Sequence, residues 1–408
     1  MGNRIPAAVG TRRTLATVDV APREVLLTHA GVSVYHGGYG SALAPDPRAP
    51  GYFYLLTDRG PNFDVPDPAK KAFAVPTFRP HIGRFARRGE VLVRVATIPF
   101  TGEDGAPLTG LPHPPSEGGT GEIPIALDGN VLPFDAAGID PEGLAALADG
   151  SFWISDEYGP SLIHVSPEGR VLERVSPHAG TRRLPRVFAR RWPNRGLEAV
   201  AMLPDGRTLA TIAQSALDNP APGTGATSAT VRLLLFDTTT GTTRQYLYLQ
   251  EAPGLSNSAL AALAPTTLLT IEHDRRFTHD RLAPSIIKRI YAVDLAGATD
   301  VSDPAGTPHG LLAGGRTLET LSADELLAAG IRPARKTLLS DLVALGYPHD
   351  KPEGLAVVGD TLAVLNDDDF GIDSDGAGGI QPKMLPGTDT VNRNLVTFIP
   401  FDAAFRTA

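Results

Sequence analysis

One short pattern returns five times along this chain, and it sets what the chain can fold into. Asp140-Pro-Glu-Gly-Leu-Ala145 is followed by Asp149-Gly150 and then by Ser151-Phe-Trp-Ile-Ser-Asp156. Lys351-Pro-Glu-Gly-Leu-Ala356 leads through Gly359-Asp360 to Thr361-Leu-Ala-Val-Leu-Asn-Asp367, and Arg195-Gly-Leu-Glu-Ala-Val-Ala201 leads through Pro204-Asp205-Gly206 to Thr208-Leu-Ala-Thr-Ile212. Two further copies carry Ser-Ala-Leu-Ala instead. Ser41 to Ala44 leads to Tyr52-Phe-Tyr-Leu-Leu-Thr-Asp58, and Ser258 to Ala261 leads to Leu268-Leu-Thr-Ile-Glu272. Glu142 and Asp156, Ser258 and Glu272, and Glu353 and Asp367 are each 14 residues apart; a longer turn puts Ser41 and Asp58 17 apart. Self-similarity at this scale marks a repeat architecture.

Each copy reads as a β-hairpin: a small-residue apolar strand, an Asp-Gly type turn, and an alternating strand that ends at an acid. Further strands follow, such as 162–165 before Pro167-Glu-Gly169 and 231–236 before Thr240-Gly241. A repeated four-stranded sheet is the unit of a β-propeller. The expected fold is therefore all-β, one propeller domain over residues 1–408. Six blades is the preferred count, because 92–100 and 14–36 remain to be placed; five or seven are the other closures. A strand from the N-terminal segment pairing near 395–400 would close the ring. One helix is expected over 322–329, with Ser322 and Glu325 as a capping box and Gly330 as its stop. Residues 102–121 and 371–389 read as loops.

Composition agrees with many short strands. The 408 residues include 43 Gly and 37 Pro, and 42% are hydrophobic, enough for a large core. No cysteine is present, which excludes disulfides and thiolate metal sites. The formal net charge of −8 argues against electrostatic binding to nucleic acid or to an anionic membrane surface. No run of about 18 apolar residues predicts a membrane-spanning helix. The first residues, Met1-Gly-Asn-Arg4, lack the apolar core of a signal peptide, so the chain is expected either to be cytoplasmic or to have been separated from its leader.

The repeat gathers acids. Hairpin ends meet, so the acid opening one strand and the acid closing the next lie at the same end, and radial repetition brings all of them to one mouth of the channel. Strand starts supply Glu142, Glu198 and Glu353; strand ends supply Asp58, Asp156-Glu157, Glu272-His273-Asp274 and Asp367-Asp368-Asp369. So many carboxylates repel one another unless a cation compensates. Ca²⁺ suits this role, since it takes six to eight oxygen ligands in irregular geometry and needs no Cys. Zinc fits less well, because His273 is the only histidine inside the acidic set. An isolated Asp after a strand is ordinarily a turn former, but turn formation does not demand an acid at a fixed offset in several copies. Basic residues stand beside the acids: Arg59, Arg195, Arg275 and Lys351 either balance charge or hold an anionic substrate group. No Gly-x-Ser-x-Gly elbow, P-loop or cysteine nucleophile is found, leaving metal-activated water as the economical nucleophile.

These motifs resemble a known family, the bacterial phytase-like or "esterase-like activity of phytase" proteins. The matching segments are Thr57-Asp-Arg-Gly-Pro-Asn62, Ser155-Asp-Glu-Tyr-Gly-Pro160, Arg195-Gly-Leu-Glu-Ala199, Glu272-His-Asp274, Lys351-Pro-Glu-Gly-Leu-Ala356 and Asn366-Asp-Asp-Asp-Phe-Gly371. The resemblance implies an exported, secreted or periplasmic, calcium-dependent ester hydrolase. Ser41 and Ser258 depart from the acid pattern, so the ring is not uniformly acidic.

The expected function is calcium-dependent hydrolysis of a phosphoric ester on a small anionic substrate, with no obligate protein partner. Metal ligands are expected from Glu142, Asp156, Glu198, Glu272, Glu353 and Asp367. Catalytic roles fall to Asp58, Arg59, Glu157, His273, Asp274 and Asp368, and substrate contacts to Arg59, Arg195, Arg275 and Lys351. The alternatives are a carboxylic ester or lactone hydrolase on the same site and a non-enzymatic calcium-stabilised binding propeller.

Overall fold

In the computed structural model, residues 15–401 are described, apart from 120, 179 and 280–285. Five four-stranded antiparallel units follow one another. The first holds Ala42–Pro45, Tyr52–Leu56, His81–Arg88 and Val91–Pro99. The second holds Pro141–Ala146, Phe152–Asp156, Ser161–Val165 and Val171–Val175. The third runs Leu197–Met202, Thr208–Ala213, Thr230–Asp237 and Thr243–Leu249. The fourth comprises Ser256–Ala264, Thr267–His273, Lys288–Asp294 and Arg335–Asp341. The fifth combines Lys351–Val358, Thr361–Asp367 and Leu395–Pro400 with Ala16–Ala21 from the other end of the chain. The first strand of each unit packs on the first strand of the next, and the fifth on the first, so the ring closes as a propeller of five blades.

The expected six blades become five for a definable reason. Residues 92–100 are the outer edge of the first blade, cut off from its inner hairpin by an insertion at 57–80. The N-terminal strand is the outer edge of the fifth, as expected of a closing strand, and it also pairs in parallel with Val91–Pro99, joining the two blades at their rims.

The blades stack face to face, which buries both faces of their middle strands. In the third blade Leu209, Ile212, Val231, Leu233, Leu234 and Phe236 are all fully covered. Each such side chain contributes about 1.5–3 kcal/mol. The inner strands crowd the axis, and this accounts for the Gly and Ala after each repeat acid. A Cβ on Gly143 would lie 2.5 Å from the Val200 backbone nitrogen of the neighbouring blade.

The same strands divide the channel. At one end, Leu43, Leu144, Val200, Leu260 and Leu355 narrow it to about 10 Å³ of space. Beyond them lies an apolar recess of about 230 Å³ lined by Ala, Leu, Val and Met.

Insertions cover part of the other, polar mouth. The hairpin Glu24–His29/Val32–His36, a sheet of Asn62–Asp64, Lys70–Phe73 and Ile123–Ala126, and the hairpin Ile372–Ser374/Ile380–Pro382 share one apolar cluster through Val34, Phe63, Phe78, Ile125, Phe370 and Ile372. The stretch 371–389 thus contains a short hairpin where a loop was expected. The described part of 102–121 holds one 3-10 turn, Pro115–Glu117. The expected helix is Ala323–Ala328, with Ser322 and Glu325 forming the capping box.

Candidate active site

A β-bulge in the innermost strand aims the repeat acids. The register slips between Pro141 and Gly143, Leu197 and Ala199, Asn257 and Ala259, and Pro352 and Gly354. The extra residue in each case is Glu142, Glu198, Ser258 or Glu353. Ser41 holds the same place in the first blade, between Gly40 and Ala42, which both meet Leu56. A bulge turns a side chain out of the alternating pattern, and here four of the five residues reach the polar cavity: Ser41, Glu142, Glu198 and Glu353 line it.

A second tier comes from the end of the adjacent strand. The strand positions opposite the residue before each bulge are Asp156, Ala213, Glu272 and Asn366. The next residues are Glu157, Gln214, His273 and Asp367, with Asp58 in register on the first blade. Asp58, Glu157, Gln214 and Asp367 line the cavity.

Register also explains which predicted ligands lie elsewhere. A one-residue step along a strand turns a side chain to the opposite face. Asp156 and Glu272 are one step short of the cavity tier. Asp156 is fully buried and accepts from the Asp140, Tyr158 and Gly159 N–H groups and, at 2.8 Å, from Ser161 Oγ. Glu272 accepts from Tyr248 Oη at 2.6 Å, Glu251 N at 2.7 Å and Lys336 Nζ at 3.0 Å, between the third and fourth blades. Asp368 ties Gly38 N and Phe370 N. Asp274 is held by Arg276 and by the Ile287 N–H. Arg195 lies over Trp192 and donates to Ser215 Oγ and the Gly254 carbonyl. None of these five lines the cavity, and neither does His273, which is fully buried at the blade-four place of the second tier.

The cavity, about 260 Å³, is lined by ten carboxylates and four basic side chains. Asp140, Glu142 and Glu157 each bring an oxygen within 4.8 Å of the others. Burial, reinforced by neighbouring carboxylates, pushes Asp58, Glu142, Glu157 and Glu353 far above the usual carboxylate range. Burial also lifts Glu198 and Asp367 to about 7. Most basic groups are committed. Arg59 contacts Glu122, Asp140, Asn62 and Tyr158. Lys351 donates to Asp367 at 2.9 Å and to Asp369, and Lys71 pairs with Asp64. The two lysines Lys351 and Lys383 hold Asp369 well below the carboxylate range against its burial. Glu157 Oε1, Glu198 Oε2, Gln214 Oε1 and Asn194 Oδ1 are buried cavity-side oxygens without a hydrogen-bond partner among the described residues.

Asp140, Asn194 and Gln214 were not anticipated from the sequence, and Asp369, expected in the acidic set, was given no role of its own. Gln214 was within reach, since it follows the third copy at the place that Glu157 and Asp367 hold in theirs. Asn194 comes from a connecting segment and carries no such signal.

The fold and site define a propeller with an acidic, oxygen-lined centre open at one mouth. The profile of the phytase-like family, described as "esterase-like activity of phytase", matches residues 35–370, and the chain belongs to that family. This membership points to a hydrolase. An "Uncharacterized secreted protein" of Arthroderma benhamiae is 31% identical over 185 residues, a match covering 37% of this chain and 36% of that protein. Among solved structures, a Lactobacillus plantarum protein shares 12% identity at a TM-score of 0.34, with 91% of this chain and 92% of that one covered. A putative oxidoreductase (glucose dehydrogenase) of Thermus thermophilus shares 13% at 0.36, over 91% and 86%. Among the described residues no helix is long and apolar enough to cross a membrane.

Proposed function

We propose that this protein is a calcium-dependent hydrolase of phosphoric esters that acts on a small anionic substrate. The observation that carries the reading is the set of buried, unpartnered oxygens on Glu157, Glu198, Gln214 and Asn194 beside the Asp140–Glu142–Glu157 group. Unpaired buried acceptors are costly, and a hard divalent cation satisfies them. The donor set fits calcium: it is rich in carboxylate and amide oxygens and offers no thiolate. Asp140, Glu142, Glu157 and Glu198 would hold the ion, with Gln214 and Asn194 as neutral donors. Bound there, calcium supplies charge compensation, a more acidic water and polarisation of an ester oxygen.

The chain's own groups complete the site. Asp58 faces the cavity with one oxygen fixed by the Gly60 N–H at 2.8 Å, which leaves the other to take a proton. Phe63 and Ile372, from the covering insertions, wall one side of the mouth and limit the substrate to a small molecule. Export from the cell is part of the proposal and is supported by the fungal relative's being called a secreted protein.

The test is hydrolysis of a generic phosphomonoester and a phosphodiester with and without chelator. Chelator-sensitive turnover of either is expected. Turnover of lactones or aryl acetates alone would move the reading to a carboxylic ester hydrolase. Calcium stabilisation with no turnover on any ester would make the centre a binding site.

A further inference from the structure

Three of the five repeat positions carry glutamate and two carry serine, and the two serines are placed differently. Ser258 Oγ donates to the Pro352 carbonyl at 2.6 Å, and the residue lies at the narrow neck of the channel, outside the polar cavity. His273 stays out of the cavity as well, so blade four lends it no side chain from either tier. Ser41 is 2% exposed and lines the cavity, and its hydroxyl has no hydrogen-bond partner among the described residues.

The ring gives Ser41 defined neighbours. On the inner strands it stands between Glu353 of blade five and Glu142 of blade two. In the second tier its neighbours are Asp58, on its own blade, and Asp367: a Cβ on Gly40, the residue before Ser41, would lie 2.1 Å from Asp367 Cα. Ser41 is thus an uncharged break in an arc of four carboxylates. Serine is also much shorter than glutamate, so the wall is set back there. Like charges repel strongly where water is scarce. An anionic ester that enters this cavity meets the least repulsion at the break, and a free hydroxyl is already in place to donate to it.

We propose that Ser41 is the specificity-determining residue of the centre: the anionic head of the ester seats against blade one, in the gap that serine leaves in the arc of acids, and the Ser41 hydroxyl donates to one of its oxygens. The seat adjoins Glu142 and so borders the oxygen-rich side of blades two and three. The assignment rests on the hydrolase reading for the charge of the ligand, but capture of the ligand can be measured without turnover.

The experiment is calorimetric titration of the calcium-loaded full-length protein with phenylphosphonate, an anion that has the phosphoryl head but no ester bond to break. Ser41→Ala keeps the gap and removes the donor, and should weaken binding about tenfold, the factor for losing a hydrogen bond to a charged group. Ser41→Glu fills the gap with a fourth repeat carboxylate and should abolish detectable binding, with calcium affinity unchanged or higher. Ser41→Gln, similar in shape but uncharged, should fall between the two. Thermal unfolding of the calcium-loaded variants should stay close to wild type, which separates loss of the seat from loss of the fold. Wild-type phosphonate affinity in Ser41→Glu, or no phosphonate binding by the wild type, would overturn the seat. Wild-type affinity in Ser41→Ala would remove the hydroxyl from it, and Ser41→Ala alone decides if the larger side chains prevent folding. Failure of the hydrolase reading looks different: phosphonate binds with these sensitivities, yet no ester is turned over in a chelator-sensitive way.

Discussion

Blades two and three and blade five bring equivalent carboxylates to the same cavity but treat them in opposite ways. Glu157 and Glu198 each leave an oxygen buried and unpartnered. Asp367 and Asp369 are locked to Lys351, and Lys383 closes the network through Asp369 and Asp350. Burial depth does not separate the two sides, because Asp367 is as deeply buried as Glu157 and Glu198, and only Asp369 is partly exposed. The local supply of cations does. An acid that the protein neutralises itself is part of the scaffold; an acid it leaves unsatisfied is kept for something that arrives from solution. The centre is therefore polarised, with an open oxygen side and an internally paired side.

The largest effect should come from breaking the paired side. Lys351→Met strands Asp367 and Asp369 without their main counter-charge, and removing one partner of a buried ion pair costs about 3–5 kcal/mol. Denaturant unfolding of the calcium-free protein measures it. A loss under about 1 kcal/mol would mean that blade five is not self-neutralised.

The open side should show itself through pH. Burial lifts Glu198 from the ordinary 4.5 to about 7 in the folded chain, and it pushes Asp58, Glu142, Glu157 and Glu353 in the same direction. The folded state therefore binds more protons than the unfolded state between about pH 4.5 and 7. Stability of the calcium-free protein should fall as pH rises through that window, by about 1.4 kcal/mol per pH unit for each extra proton bound. Saturating calcium should flatten or reverse the slope. A calcium-free protein that gains stability from pH 5 to pH 7 would refute this account. Asp369, shifted the other way, contributes with opposite sign only at strongly acidic pH.

A smaller effect separates neighbours in the sequence. Glu142→Gln removes a cavity charge and should lower calcium affinity about tenfold, or about 1.4 kcal/mol, while leaving the calcium-free protein as stable or slightly more so. Asp156→Asn alters an acid already saturated by four internal donors. It should cost about 1–3 kcal/mol of stability and leave calcium affinity unchanged. Calcium titration and thermal unfolding of the two variants check the contrast.

Much of this was written in the chain. The five copies of a hairpin with an acid or serine at its start determined a radial all-β fold, the gathering of Glu142, Glu198 and Glu353 at one mouth, and the return of the N-terminal strand to the last blade. These are local signals: turn chemistry, strand alternation and a repeated offset. The tertiary structure decided the blade count, because the insertion at 57–80 separates an outer hairpin from its inner partner and leaves the two looking like different units. It also decided register. Turn length and the bulge at each repeat acid together determine whether residue 156 or 157, 366 or 367, faces the axis, and spacing along the chain cannot resolve a single step. Last, it decided which acids are free to bind. That depends on lysines, arginines and backbone N–H groups brought from distant segments, and only the closed ring places them beside their partners.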